Sequence, residues 1–346
     1  MAGITSKDIA SQLGLSPAAV SIALNGKPGV SEATRRLVIE TAKRMGYDPE
    51  KLAAVVSRRK RICFVFYVDQ IIGIAESTTF SSFVLEGAET AASLKGYSIM
   101  VRYVRRGEPF MKQLEDICAE ADGFIIFGTD VSAETEPEMK EFLASVFPKP
   151  VVIIDNPENF GIADCVTNDN YNGARMAAEY LIERGCRNIG YLRSRYRNSN
   201  FALREAGLVS ALRDAGLELA ATVDTEISFD EAYISIQEYL KSAPALPDGF
   251  FAENDIIAAA ALRAFSSNGI RVPDEVSVMG FDDVSVCELT VPSLSTVHSY
   301  KEQLGSAAVN ILAYRFSSAA ENIKSMSGGA MNVRISMKLR IRGSVR

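Results

Sequence analysis

Three polar side chains stand just past apolar runs: Asp155 after Val151 to Ile154, Asn254 after Gly249 to Ala252, and Asp282 after Val276 to Gly280. Ligands in open α/β sheets lie beyond the carboxyl ends of strands, so two carboxylates and an amide there could bind hydroxyl groups. Each also has a local explanation, since Asp or Asn at a strand end caps the helix that follows. Catalytic chemistry has thinner support. His298 is the single histidine, and neither a Gly-x-Ser-x-Gly motif nor a phosphate-cradling glycine loop is present. The five cysteines, Cys63, Cys118, Cys165, Cys186 and Cys287, include no Cys-x-x-Cys pair and fall mostly in apolar runs. They read as reduced core thiols, and neither a structural zinc nor a cofactor is expected.

The elements that must position these residues alternate regularly. From Arg61 onward, strands at Ile62 to Val68, Tyr97 to Val104, Phe124 to Gly128 and Val151 to Asp155 alternate with helices at Ser82 to Lys95 and Phe110 to Ala121. After Cys165 the cycle restarts, with strands at Asn188 to Leu192, Gly249 to Ala252 and Val276 to Gly280. Its helices are Asn172 to Arg184, Leu203 to Ala215, Glu231 to Leu240 and Asp255 to Asn268. Such alternation implies parallel sheets covered by helices on both faces, and about a dozen strands are too many for one ordinary sheet. Two doubly wound lobes are therefore expected.

The N-terminal segment is different in charge and in period. Residues 1 to 61 carry eleven Lys/Arg and five Asp/Glu, a net +6, so the chain total of −6 leaves −12 on residues 62 to 346. A basic charge gathered at one end suits a polyanion partner whatever the overall balance. Ser6 can cap a first helix, Lys7 to Leu13, with Ile9, Ala10 and Leu13 on one face; Gly14 supplies a turn. Ser16 as N-cap and Pro17 at the first helical position start a second helix that carries Val20 and Leu24 and stops near Asn25-Gly26. A third helix starts at Ser31-Glu32, turns Leu37, Val38 and Ala42 inward, and ends at Gly46. Helix, glycine turn, short helix is a helix-turn-helix pattern, whose second helix enters the major groove by its N-terminal end. No apolar run approaches the roughly 18 residues of a membrane span, and the N-terminus moves straight into a polar helix. A cytoplasmic location is expected.

The run from Ile4 to Gly26, with Val30-Ser-Glu-Ala-Thr-Arg and Met45-Gly-Tyr-Asp-Pro, resembles the headpiece of the lactose/galactose repressor family. That resemblance implies phosphate contacts from Ser16, Ser21, Asn25, Ser31, Thr34 and Tyr47, with Ser6 and Lys7 completing the DNA-facing set. It assigns base reading to Pro17, Ala18 and Ile22. Many members carry arginine where this chain has Ile22, so the fork onto guanine is missing here. Ile22 either meets thymine methyls or simply packs. The implied hinge, residues 49–61, would place Ala53 where two hinge helices approach and Val56 where a leucine wedge enters the minor groove; Glu50 replaces a customary asparagine.

The body resembles the family core, two lobes around a cleft like a periplasmic sugar-binding protein, through Asp122-Gly-Phe-Ile-Ile, Val166-Thr-Asn-Asp-Asn-Tyr-Asn-Gly-Ala, Phe251-Ala-Glu-Asn-Asp and the stretch from Val272 to Asp283. The implied organisation is a headpiece at 1–48, the hinge, and a core at 62–346. In that core, lobe 1 takes about 62–165 and 297–328, and lobe 2 about 166–292 and 329–346. Crossovers are implied near Cys165, Pro292 to Val297 and Ser327 to Met331, with Val333 to Arg342 returning as a strand of the second lobe. Asp155, Asn254 and Asp282 match cleft positions, Arg204 matches an arginine that binds ligand hydroxyl or carboxylate groups, and Phe80 and Phe229 are candidates for an apolar wall. For Asp169 and Asn170 a turn or cap role is equally open.

The expectation is thus a homodimeric DNA-binding regulator, of repressor type, that reads operator DNA under the control of a small-molecule effector, a sugar or sugar derivative. Two alternatives stay open at this point: control by a protein co-effector, and a small-molecule-processing enzyme.

Overall fold

The computed structural model describes residues 4–24, 29–47, 60–68, 74–105, 107–131, 136–157, 163–242, 245–320 and 329–346. Asn25, Ala53 and Val56, with nearly all of the expected hinge, lie outside them. No described helix is long and apolar enough to cross a membrane.

Three helices form the N-terminal unit: α1 (Ser6–Leu13), α2 (Pro17–Leu24) and α3 (Glu32–Met45). The cap of α1 is Thr5, one residue earlier than expected, because Asp8 reaches back to accept from the Thr5 amide at 2.7 Å and from its hydroxyl at 2.6 Å. These bonds satisfy donors at the helix start and hold the Asp8 carboxyl below the usual range. Gly14 ends the helix at φ 63, the left-handed conformation that glycine adopts without a steric penalty. Ile9, Ala10, Val20, Ala23, Leu24, Val38 and Ala42 close a small core. Leu37, expected inward, is 50% exposed; α3 turns Val38 and Ala42 into the core instead.

The body has two six-stranded sheets. The first has the order β11-β5-β4-β3-β1-β2 and the second β12-β10-β9-β8-β6-β7. Their strands are β1 (Arg61–Val68), β2 (Ser98–Arg105), β3 (Gly123–Phe127), β4 (Val151–Ile154), β5 (Asp164–Asn168) and β11 (Asn332–Ile335) in the first lobe. In the second they are β6 (Ile189–Ser194), β7 (Leu219–Thr225), β8 (Gly249–Ala252), β9 (Ser277–Asp282), β10 (Ser295–His298) and β12 (Lys338–Arg340). All neighbours run parallel except β12 beside β10. Near-continuous apolar strands such as Phe124–Phe127 and Val151–Ile154 are buried on both faces, as covered parallel strands must be.

Each lobe buries two apolar layers, one on either face of its sheet. In the first lobe, α4 (Ile74–Leu94) and α12 (Lys301–Ala320) pack together on one face, and α5 (Phe110–Cys118) and α6 (Glu136–Val146) take the other. In the second lobe, α7 (Asn170–Glu183) and α8 (Ser199–Asp214) share one face, and α9 (Phe229–Ser242), α10 (Asp255–Ser267) and the short α11 (Val286–Leu289) the other.

The crossovers fall later than the expected boundaries. Strand β5 pairs with β4 up to Val166 and with β11 up to Asn168, so the chain leaves the first sheet at Asp169 rather than near Cys165. β10 belongs to the second sheet through His298, because Val297 is buried in that lobe's core. The segment expected as one second-lobe strand divides: Asn332–Ile335 completes the first sheet, and only Lys338–Arg340 joins the second.

Candidate functional site

The carboxyl ends of β4, β5, β8 and β9, with the start of α8, assemble a polar cluster. Arg204 on α8 is 4% exposed and is its centre. Its Nη1 and Nη2 donate to the two Asp282 carboxylate oxygens at 3.2 and 2.9 Å, and its Nε donates to Asn170 Oδ1 at 2.9 Å. Nη1 also reaches the Glu253 carbonyl at 2.6 Å, and the guanidinium carbon lies 3.8 Å from the Phe281 ring centroid. A planar fork paired bidentately and laid on an aromatic face is an arrangement that lysine cannot reproduce.

Backbone strain is concentrated at the same strand ends. Asp155, Asp282 and Asp283 have φ of 61°, 105° and 55°, left-handed conformations that cost a non-glycine residue roughly 1–3 kcal/mol each. The 282–283 corner is fixed from below. Lys301, 4% exposed, donates to the Asp282 and Asp283 carbonyls at 2.7 and 3.0 Å, and Ser299 Oγ donates to the Asp282 carbonyl at 3.0 Å. Asp283 meets His298 Nδ1 at 2.7 Å and Arg342 Nη2 at 2.8 Å. Burial would raise the Asp283 carboxyl, but these two partners outweigh it and hold it below the usual range. Burial pushes the His298 imidazole down despite that carboxylate. On β9, a Cβ at Gly280 would come within 2.3 Å of the Asp255 carboxylate, so only glycine leaves room for that buried acid.

The first-lobe wall is less complete. Asp155, 5% exposed, accepts from the Thr129 hydroxyl at 2.6 Å through Oδ2, while its buried Oδ1 has no hydrogen-bond partner. Burial raises this carboxyl to about 7, against the opposing pull of Thr129 and of Arg204. Further hydrogen bonds join the two lobes here. Asn200 Nδ2 on α8 donates to the Asp155 carbonyl at 2.8 Å, and the Tyr196 hydroxyl donates to Asp130 Oδ1 at 2.9 Å.

Arg204, Asp282 and Asp155 are thus brought together. Asn254 takes the local role instead, its Oδ1 capping α10 by accepting from Ile257 N at 2.8 Å. Phe80 packs against the first-lobe core with its ring centroid 6.3 Å from that of Phe127. Phe229 packs into the second-lobe core, with Arg263 over its ring at 5.7 Å. Asp169 caps α7 through Asn172 N at 3.4 Å. Asn170, for which a turn or cap role stood open, instead accepts from Arg204, and Asn200, Thr129, Lys301 and the buried Glu253 were not singled out from the sequence. The strand-end rule that found Asp155 also points at Asn168, the last residue of β5, and at Asp169 and Asn170 just past it.

In the N-terminal unit, Ser16 Oγ accepts from the Ala19 amide at 3.1 Å and caps α2. Pro17, Ala18 and Ser21 are exposed on that helix, as is Lys7 on α1, whereas Ser6 is half-buried. Ile22 is half-buried, and a Cβ on Gly29 would lie 3.5 Å from its side chain, which favours the packing role. Ser31 caps α3 by accepting from Thr34 N at 3.1 Å, and the two hydroxyls are 2.7 Å apart. Tyr47 packs against the unit's core.

A helix-turn-helix unit ahead of two parallel-sheet lobes that meet at a polar cluster defines a DNA-binding regulator built on a periplasmic-binding-type body. Residues 5–50 match the model of bacterial regulatory proteins of the lacI family, and residues 178–345 match that of a periplasmic binding protein-like domain. The chain thus joins a lacI-family DNA-binding domain to a periplasmic-binding-protein-like domain. It is 26% identical over 322 residues to the HTH-type transcriptional repressor PurR of Pasteurella multocida, covering 92% of this chain and 93% of that one. Its fold is that of the transcriptional regulator CelR–cellobiose complex (TM-score 0.69, 24% identity, 99% of each chain covered). The Lac repressor dimer bound to operator and the anti-inducer ONPF shares the fold too (TM-score 0.71, 20% identity, 99% of each chain). The matching relatives are repressors and regulators, not enzymes, and the enzyme reading finds no support among them.

Proposed function

We propose that this chain is a transcriptional repressor that binds a near-palindromic operator as a homodimer and is controlled by a polyhydroxylated small molecule held between its lobes. One observation carries the effector reading: the buried Arg204–Asp282 fork faces Asp155, whose Oδ1 is buried and unpartnered. Such a site presents charged donors and acceptors to hydroxyls, each of which both donates and accepts. That CelR is described with cellobiose supports a sugar-like effector.

Residues 1–48 act as the DNA reader and 49–61 as the hinge in this reading. Ser16, Pro17, Ala18 and Ser21 meet the operator, with Ser6, Lys7, Asn25, Ser31, Thr34 and Tyr47 around them. The dimer reading rests on the second lobe, where Leu289 and Val291 are 79% and 91% exposed beside a hollow lined by Leu262 and Arg263. Leu289 and Val291 line that hollow together, and a contiguous exposed apolar patch of this kind suits a protein-interaction surface. Effector binding shifts operator affinity through a coupling of about 1–3 kcal/mol.

The test is calorimetry of the full chain against ribose, galactose, cellobiose and nucleobases, repeated with Arg204→Lys, alongside operator titration with and without the ligand found. Binding that survives Arg204→Lys unchanged would remove the cleft reading. Operator affinity that does not fall steeply with salt would remove the DNA reading. Sedimentation of a Leu289→Asp, Val291→Asp double variant should show monomers and weakened operator binding; an intact dimer would move the interface elsewhere.

A further inference from the structure

We propose that Asn168 is a further effector-binding residue, forming with Asp155 a buried polar subsite on the first lobe that takes two neighbouring hydroxyls of the ligand. The proposal rests on the effector reading given above.

Asn168 is the last residue of β5 and is 2% exposed, yet neither its amide nitrogen nor its amide oxygen has a hydrogen-bond partner. Buried side-chain amides are nearly always paired, so a carboxamide with both ends unpaired marks a place where something else binds. Asp155, at the end of the neighbouring strand, repeats the pattern with its unpartnered Oδ1. The two are close along the sheet, because the Asp155 amide donates to the Val166 carbonyl at 2.9 Å. Side chains alternate along a strand, so Asn168 continues the row of Val166. Val166 packs in the core layer that contains Phe127 and Ile154 and that Phe80 covers in part. Asn168 thus extends that row at the carboxyl edge of the sheet, where ligands of such folds lie.

The backbones of both residues are held while Asp155 Oδ1 and both ends of the Asn168 amide stay unpaired. Asn170 Nδ2 donates to the Asn168 carbonyl at 3.4 Å and to Asn200 Oδ1 at 3.0 Å, and Asn200 donates to the Asp155 carbonyl at 2.8 Å. Arg204 Nε closes this ladder on Asn170 at 2.9 Å. The asparagines therefore connect the unpaired wall to the Arg204–Asp282 fork.

The unpaired set consists of two acceptor oxygens and one NH2 donor. Two adjacent hydroxyls match it: one donates to Asp155 Oδ1, and the other donates to Asn168 Oδ1 while accepting from Nδ2. The lactam edge of a nucleobase offers one donor and one acceptor, and leaves one acceptor oxygen buried without a partner. The balance favours a polyhydroxylated ligand.

The experiment is calorimetric titration of the full-length chain with ribose, galactose, cellobiose and hypoxanthine, for the wild type, Asn168→Leu, Asn168→Thr and Arg204→Lys. Melting temperatures without ligand are measured in parallel. At least one sugar is expected to bind the wild type. Asn168→Leu should weaken it 30-fold or more, with Asn168→Thr intermediate, and without lowering the ligand-free melting temperature. A deoxy analogue lacking the hydroxyl that meets Asn168 should bind the wild type more weakly than its parent, yet bind Asn168→Leu as well as the parent does. Undiminished sugar affinity in Asn168→Leu, together with loss in Arg204→Lys, would overturn the subsite and leave the cleft reading standing. Sugar binding indifferent to both changes would overturn the cleft reading itself. Binding of hypoxanthine alone, or of none of the four probes, overturns the hydroxyl-pair assignment. A lowered melting temperature with unchanged affinity makes Asn168 a structural amide. Should Asn168→Leu fail to fold, Asn168→Thr carries the same comparison.

Discussion

The two walls of the cleft are both polar, but they are finished to different degrees. On the second lobe, Arg204 is matched by the Asp282 carboxylate, the Glu253 carbonyl, Asn170 and the Phe281 face. Glu253 is likewise saturated, by Tyr191, the Ser194 amide and Arg197. On the first lobe, Asp155 and Asn168 keep buried atoms without partners. A wall satisfied by its own hydrogen bonds is set in position before ligand arrives. A wall with unpaired atoms is costly until ligand supplies the missing bonds, so it is the side on which affinity can be gained.

Removing the central cation of the finished wall should have the largest effect. Arg204→Ala leaves the Asp282 carboxylate, 14% exposed, without its counter-charge, and breaking one side of such a pair costs roughly 3–5 kcal/mol. Urea unfolding should show that loss, with effector binding abolished. Arg204→Lys retains the charge and loses the fork, so it should retain most stability and still bind at least tenfold more weakly. An Arg204→Ala protein as stable as the wild type would mean that this wall is not held by the pair.

The unfinished wall should respond in the opposite sense, and with pH. Asp155 has a folded-state value of about 7, above its ordinary 3.8, so the fold binds its proton between those values while the unfolded chain has released it. Its stabilising contribution is therefore complete below about pH 4 and is lost as pH rises through 7. Asp255, also raised to about 7 by burial, acts in the same window, and the depressed His298 acts there with the opposite sign. Both groups are shared with Asp155→Asn and cancel in the difference. The stability of Asp155→Asn relative to the wild type should accordingly climb between pH 4 and 7, by at most about 4 kcal/mol, and then level off. Parallel curves across that range would show that Asp155 is not the strained acid the geometry describes.

The contrast between the walls also explains what could be read from sequence. The alternation of apolar strands and amphipathic helices made two parallel-sheet lobes legible, and Ser16-Pro17, Gly14 and Ser31 marked the helix ends of the N-terminal unit. Arg204, Asp155 and Asp282 were legible through strand-end position and family resemblance. Asn168 and Asn200 were not, and for Asn170 a turn or cap role was equally open, because an asparagine's role depends on which partners the fold brings to it. Three come together here from β5, α7 and α8. The crossovers were misplaced by a few residues for a related reason. Strands β5 and β11 are short: β5 is held by β4 only up to Val166, and its pairing with β11 carries it on to Asn168 and keeps residues 332–335 in the first sheet. Asn254 shows the converse: a polar residue at a strand end whose acceptor capacity is taken by the next helix.

The smallest expected effect lies where the walls touch directly. The Tyr196 hydroxyl donates to Asp130 across the cleft at 2.9 Å, and a hydrogen bond of this kind contributes on the order of 1 kcal/mol. Tyr196→Phe removes only that oxygen. Because both residues are accessible to water, which can replace the bond, the ligand-free protein should unfold at nearly the wild-type denaturant concentration. Effector affinity should fall by no more than about fivefold, chiefly through faster dissociation, since the bond can form only when the lobes are closed. A loss larger than that measured for Asn168→Leu would reverse the ordering of the direct contact and the unpaired wall. Closure across the cleft would then control affinity more strongly than the unpaired atoms of Asp155 and Asn168.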